Sequence, residues 1–286
     1  MSTTTVMSHA AEAQTPARPQ QRNAWFFPRE HGATAMLFTP MVCAAILARE
    51  WHWAEVAAFT AAFSAMAAKD PLVIVARQKL VWKQWHPETN AAIRWLIGWT
   101  LLLVLSGLVL LFSWPLKETL LLGVGIGAFA ALAILVNVKN RQRSSLFQIA
   151  SAIALTSSSL AVSLSATGSI QKWCLWLWLF LAMQAATGIL VVHARLDARI
   201  AQRKGMSAPN EFRWKAQVAA ALLAATAGMF GQSFVALGLL AAAFGYAYDL
   251  YRQRDASDLQ RPLTSVGQRA LALSSLVSIL LILGLW

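Results

Sequence analysis

The chain has 286 residues, of which 58% are hydrophobic and only 13% are charged. A soluble domain carries about a quarter charged residues, so this composition excludes a water-facing globule. The net charge of +12 would suggest nucleic acid in a soluble protein, but in a membrane protein such a charge orients the chain in the bilayer. We therefore predict a membrane protein without a nucleic-acid partner.

Residues 1–24 are rich in Ala, Thr, Ser, Gln and Pro and contain no apolar run, which predicts a disordered cytoplasmic tail. From there on we predict a single transmembrane helical domain, 25–286. A helix needs about 20 residues to cross a bilayer, and nine apolar segments follow one another in this domain. They are 32–48, 53–75, 95–113, 118–137, 146–166, 173–193, 215–231, 233–250 and 268–286. The predicted fold is an all-α polytopic bundle of about nine transmembrane helices.

The basic residues sort onto one side of this nine-helix arrangement. Twenty-one of the 24 Lys and Arg residues fall in the N-terminal tail and in or beside the even-numbered connections, and the other side has only Arg49, Lys117 and Lys172. Because cytoplasmic loops are enriched in Lys and Arg, we predict a cytoplasmic N-terminus and place Trp286 outside. The expected location is the bacterial inner membrane.

Two charged motifs stand at the inner ends of the first two helices. Arg29, Glu30 and His31 lie where the first helix enters the membrane, and the imidazole titrates near neutral pH. Asp70 comes just before a proline, which bends or ends a helix, and Arg77 follows two turns later. Charges within an apolar stretch usually face protein or water, although each motif also fits a plain helix end with an interfacial anchor.

A third motif occupies the inner end of the sixth helix. On a helix, His193 and Asp197 lie one turn apart, and so do Arg195 and Arg199. A carboxylate orients an imidazole, and paired guanidiniums suit phosphate or carboxylate. The same residues also fit a positive helix end that contains one salt bridge.

Together the motifs predict a cytoplasm-facing polar cavity that binds an anionic or isoprenoid lipid-like ligand. The candidate catalytic residues are His31, Asp70, His193 and Asp197. The candidate ligand-binding residues are Arg29, Glu30, Arg77 and Arg195. No Cys/His cluster is present, so no metal site is predicted. The sequence identifies no cofactor and no protein partner, although His31 and His193 could together ligate a haem.

The run from Phe27 to Leu37, FPREHGATAML, is an unusual charged entry into an apolar helix and is followed by Pro40. It resembles the opening signature of the YwiC-like family of bacterial integral membrane proteins. The resemblance implies a multi-pass membrane fold and does not specify a reaction.

The helix layout resembles that of the UbiA-type intramembrane prenyltransferases, which bind a prenyl diphosphate through Mg²⁺ held by Asp-rich motifs after helices two and six. This chain has the single acids Asp70 and Asp197 at those places, and one carboxylate per site cannot bridge two Mg²⁺ ions. The resemblance therefore implies a prenyltransferase-like protein with degenerate Asp motifs.

Two other functions remain open, a transporter and a non-enzymatic assembly factor for a respiratory complex. A transporter should carry ionisable groups or broken helices near mid-membrane. In this chain the charges cluster at the inner ends of the helices, which favours ligand binding at that end.

Overall fold

The computed structural model of the chain describes residues 31–86, 89–138, 144–207, 209–231 and 233–286. The predicted tail 1–24 and the predicted site residues Arg29 and Glu30 lie outside these ranges, as does the side chain of His31. All regular secondary structure in the described ranges is helical. This confirms the predicted all-α class.

The helices succeed one another with short connections. The second helix continues directly into a π-helical segment, Gln78–Trp82, and the fifth and sixth helices are separated by Ser157 alone. In chain order they are α1 (His31–Ala48), α2 (Trp53–Arg77), α3 (Thr89–Ser113), α4 (Leu116–Val138), α5 (Ser145–Thr156), α6 (Ser158–Thr167), α7 (Lys172–Lys204), α8 (Glu211–Met229), α9 (Ser233–Arg252), α10 (Ala256–Leu259) and α11 (Leu263–Leu285).

Seven helical stretches in the described part of the chain are long and apolar enough to cross a membrane. They are α2, α3, α4, α5 together with α6, α7, α9 and α11. The apolar stretch of α1, Gly32–Ala48, is shorter, and α8 is not among the seven. Each of the nine predicted segments is nevertheless helical. The protein is thus a multi-pass integral membrane protein with a helical-bundle fold.

Contacts between distant helix ends agree with the predicted alternation of sides. Arg49, just after α1, donates a hydrogen bond from Nη2 to the backbone oxygen of Trp286 at 3.0 Å, and its guanidinium lies 3.9 Å from the centre of the Trp286 ring. Trp114, between α3 and α4, donates its indole N–H to the hydroxyl of Ser165 at 3.0 Å. Each contact joins residues that the alternation assigns to the same side. Which compartment that side faces stays a prediction.

The helix ends follow from a few residues with particular backbone preferences. Pro71 is buried inside α2, and the helix continues past it, so the proline does not end the helix. Lys83 has a φ of +52° and closes the π-helical segment. Gly168 and Gly205, with φ of +69° and +63°, end α6 and α7 in the left-handed conformation that glycine adopts without steric cost.

A continuous buried core connects the helices around α7. Met41 on α1, Leu177 and Phe180 on α7, Leu239 on α9 and Leu281 on α11 are completely buried. In contrast, no part of the apolar span of α4 is buried. An apolar helix left uncovered by its own chain must face lipid or another protein. The bundle therefore has a packed centre and an outer apolar surface.

Close packing of α11 on α9 depends on glycine. A Cβ atom added at Gly284 would lie 2.6 Å from the backbone nitrogen of Val235, and one at Gly238 would lie 3.2 Å from the Cβ of Leu280. A Cβ added at Gly267, also on α11, would have no neighbour within 4 Å. The two helices therefore pack closely at Gly284 and Gly238, whereas Gly267 lies outside this contact.

Candidate functional site

The helix α7 extends beyond the bundle core at its C-terminal end. Its 33 residues exceed the 20 or so that a crossing needs, so the last turns, from His193 to Lys204, reach past the apolar segment. The connection between α9 and α11 and the start of α8 lie beside these turns. We call this region the arginine-rich end of the bundle.

Arg195 forms a buried ion pair with Asp258, which the short helix α10 presents. Nη1 of Arg195 lies 2.9 Å from Oδ2 of Asp258, and Nη2 donates to the backbone oxygen of the same residue. The two side chains are only 2% and 1% exposed. Asp255 caps α10 by accepting a hydrogen bond from the backbone N–H of Ser257. The helix cap thereby fixes the carboxylate that Arg195 contacts.

Three further arginines converge on the second oxygen of Asp258. Oδ1 lies 2.8 Å from Nη2 of Arg252, 3.4 Å from Nε of Arg261 and 3.8 Å from Nη2 of Arg269. Burial alone would raise the pKa of Asp258, but the hydrogen bond from Arg195 and the charges of the neighbouring arginines outweigh it and hold the pKa below its ordinary value. We call these four arginines and Asp258 the Asp258 cluster.

Other hydrogen bonds fasten the connection between α9 and α11 to α7. Arg199 donates from Nε to the backbone oxygen of Leu259 and from Nη2 to that of Arg261. Gln253 donates its amide N–H to the backbone oxygen of Val191 at 3.2 Å. Because Arg199 donates its hydrogen bonds to carbonyls of this connection, it does not form with Arg195 the predicted pair of guanidiniums that binds an anion. Both arginines hold the fold of this end together.

His193 links α7 to α5 and α8. Its Nε2 lies 3.0 Å from Oε1 of Gln148, and its ring stacks on Phe212 with centroids 4.9 Å apart. The expected contact with Asp197, one turn away, is not among its bonds. Asp197 itself is half-buried and has no hydrogen bond or ion pair within the described ranges. The imidazole is therefore oriented by an amide and an aromatic ring.

The predicted residues on α2 lie on a different group of helices. Asp70 forms an ion pair with Lys69 at 4.0 Å, and Arg77 is half-buried at the end of the helix. The helix α2 packs chiefly on α3 and α6, whereas α7 packs chiefly on α5, α8 and α9. The structure brings His193, Arg195 and Asp197 together on α7, but it does not bring Asp70 or Arg77 into direct contact with them.

The residues that surround Arg195 were not predicted from the sequence. Arg252, Arg261 and Arg269 were counted among the basic residues in or beside the last cytoplasmic connection, and Asp258 was not considered. A local signal was present, because Asp258 lies between arginines in a short polar connection whose neighbours on both sides are apolar helices. What the sequence could not supply was the partner on α7, which precedes Asp258 by 63 residues.

Several cations at this end have no carboxylate partner among the described residues. Arg203 and Arg213 form no ion pair there, and Arg254 contacts only the ring of Tyr251, with its guanidinium carbon 5.7 Å from the ring centre. Within the described ranges, no three His, Cys, Asp or Glu side chains come together as a metal-binding group. The chemistry available at this end is that of guanidinium groups, which bind anions.

Comparison with known proteins identifies one family. A family model described as YwiC-like protein matches residues 27–164, just under half of the chain. No curated protein and no solved structure gives a significant match, and the resemblance in layout to UbiA-type prenyltransferases stays a prediction. The matched region begins at the charged run that enters α1 and ends within α6. Over residues 27–164 the chain matches the YwiC-like family, the family that its opening motif predicts.

Proposed function

We propose that this integral membrane protein binds an anionic, amphipathic ligand at its arginine-rich end. The observation that carries the proposal is the surplus of guanidinium groups there. Four arginines of the Asp258 cluster share the carboxylate of Asp258, and the other acids beside them are Asp249, 3.8 Å from Arg269, and Asp255, which caps α10. Arg213 and Arg254 add positive charge that no described carboxylate balances.

The position of this charge favours a ligand of the membrane rather than of the aqueous phase. The arginines lie at the ends of membrane-spanning helices, which is the depth at which lipid headgroups carry phosphate. Basic residues near an anionic lipid surface gain about 1 kcal/mol each. The exposed apolar flanks of the same helices suit an acyl or isoprenoid tail. An anionic lipid satisfies both surfaces at once.

The contacts also suggest how the predicted residues divide their roles. Arg195 is almost fully buried and engaged with Asp258, so we propose that it positions the α9–α11 connection and does not touch the ligand. His193 and Asp197 are the candidates for proton transfer if the ligand reacts. The proposed roles of His31, Asp70 and Arg77 stay predictions, because α2 packs chiefly on α3 and α6.

The test is the lipid preference of the intact protein. The purified chain would be mixed with equal amounts of phosphatidylglycerol and phosphatidylethanolamine that carry the same acyl chains, and the retained lipid counted by native mass spectrometry. We expect the anionic lipid in several-fold excess, and an excess that shrinks as salt is added, because salt screens exposed charges. Equal retention of the two lipids would refute the proposal.

A further inference from the structure

A groove runs along the outside of the α8–α9 pair. It is an open cavity of about 350 Å³ between one face of each helix. Alanines form most of its apolar lining, which we call the floor. They are Ala220, Ala221 and Ala224 on α8 and Ala243 and Ala247 on α9. Because alanine has the smallest side chain other than glycine, two facing rows of alanine leave a channel where larger side chains would interdigitate.

One end of the groove is polar and basic. Arg213 and Gln217 border it at the start of α8, and Tyr251 and Arg254 border it at the end of α9. Since the two helices are antiparallel neighbours joined by a short turn, both arginines lie at the same end. Neither arginine has a carboxylate partner in the described part of the chain. The groove therefore combines an apolar floor with two guanidiniums at its basic end that no described carboxylate neutralises.

The length of the groove matches one leaflet of a bilayer. Arg213 and Ala224 are eleven residues apart on α8, which corresponds to roughly 16 Å at about 1.5 Å per residue. Half of the hydrocarbon core of a bilayer is about 15 Å thick. The sides of the groove are open and apolar, since Phe244 is 72% exposed and Ala221 and Ala247 are also exposed. A lipid could thus enter sideways from the membrane.

We infer that this groove is a binding site for an anionic phospholipid of the adjacent leaflet. The phosphate contacts Arg213 and Arg254, and one acyl chain lies along the alanine floor. Gln217 and the hydroxyl of Tyr251 are placed to donate hydrogen bonds to the headgroup. The inference rests on the proposed function and adds to it the place, the leaflet and the phosphodiester chemistry of the ligand.

The decisive experiment tests the basic end of the groove, which we call its mouth, separately from the apolar floor. In the double variant Arg213→Gln/Arg254→Gln, we expect the retention of phosphatidylglycerol to fall about tenfold or more, from two lost contacts of about 1 kcal/mol each. Arg203→Gln is the matched control, because it removes an exposed cation from the same end that does not line the groove. An equal effect of the control would overturn the assignment of the mouth.

The floor is tested by filling it. Ala221→Phe places a ring in the groove, whereas Ala225→Phe adds the same ring at an exposed position of α8 that does not line it. We expect only the first to lower phosphatidylglycerol retention, and Ala247→Phe on the opposite wall to repeat the effect. If the Ala221→Phe and Ala225→Phe variants retained equal amounts of phosphatidylglycerol, the lipid would be bound non-specifically around the bundle. The inference would then be wrong.

The outcomes also distinguish this inference from the proposed function. A wild-type preference for phosphatidylglycerol that survives all groove variants would leave the proposed function standing and refute the groove. Glycerol phosphate, which has the headgroup but no chain, should compete weakly. Full competition by it would identify a soluble anion site and overturn the lipid assignment. A dimer in lipid-free detergent that Ala221→Phe abolishes would identify a second copy of the chain as the occupant instead.

Discussion

The substitution Asp258→Ala is expected to destabilise the folded bundle by about 3 kcal/mol or more, because it leaves a buried arginine without a counter-charge. Arg195 is only 2% exposed, and its Nη1 lies 2.9 Å from Asp258. Removing one partner of a buried pair typically costs about 3–5 kcal/mol. We expect the lower part of that range, because Arg252 and Arg261 are partly exposed and can be solvated when their contact is lost.

A double-mutant cycle isolates the pair itself. Arg195→Met should destabilise the fold less than Asp258→Ala does. The carboxylate of Asp258 keeps other counter-charges, since Arg252, Arg261 and Arg269 remain beside it. Replacing both partners, as Arg195→Met/Asp258→Leu, leaves no buried charge from the pair unmatched and should cost less than the sum of the single changes. For residues in direct contact, a coupling of about 0.5–3 kcal/mol is expected.

The protein contains its own reporters of unfolding. Cys43 and Cys174 are free thiols and are 2% and 0% exposed, so a maleimide dye reacts with them only when the bundle opens. A melting curve in detergent can therefore be recorded from dye fluorescence. At about 2 °C per kcal/mol for a chain of this size, Asp258→Ala should lower the Tm by roughly 6 °C or more.

The matched control is Glu211→Gln. It also removes one carboxylate from an ion pair, because Glu211 contacts Lys215 at 2.6 Å, but this pair is exposed on the first turn of α8. Exposed helix pairs of this spacing contribute about 0.3–0.5 kcal/mol, so the Tm should move by about 1 °C. If Asp258→Ala lowered the Tm no more than Glu211→Gln does, the buried pair would not hold this end together.

Three further predictions follow from other parts of the structure. Gly284→Ala should cost about 1–3 kcal/mol by overpacking against the α9 backbone, whereas Gly267→Ala should leave the Tm unchanged or slightly higher; equal melting curves would contradict the packing. Because its pKa is held low, Asp258 stabilises the fold fully above about pH 4 and loses this effect as the pH falls through its pKa in the folded protein. The Tm difference between wild type and Asp258→Asn should therefore shrink in acid, and a constant difference would argue against it. Without the two native cysteines, an impermeant maleimide should label Lys117→Cys in intact cells and Arg203→Cys only after permeabilisation; labelling of both would overturn the predicted orientation.

The sequence alone determined the class of the protein and the position of its helices. Nine apolar segments were read from the chain, and each is helical in the structure. This works because hydrocarbon cannot satisfy backbone hydrogen bonds, so an apolar run of sufficient length must form a helix whatever its neighbours are. The charged run that enters α1 likewise identified the YwiC-like family, which the match over residues 27–164 confirms.

Only the tertiary structure decided which polar groups meet. The spacing on α7 offered Asp197 as the partner of His193, because residues one turn apart are the only contacts that a sequence displays directly. In the folded chain, His193 contacts Gln148, 45 residues earlier, and Arg195 contacts Asp258, 63 residues later. These partners depend on how α5 and the α9–α11 connection pack against α7. The alanine groove has the same origin, because each of its two walls is an ordinary helix face until α8 and α9 lie side by side.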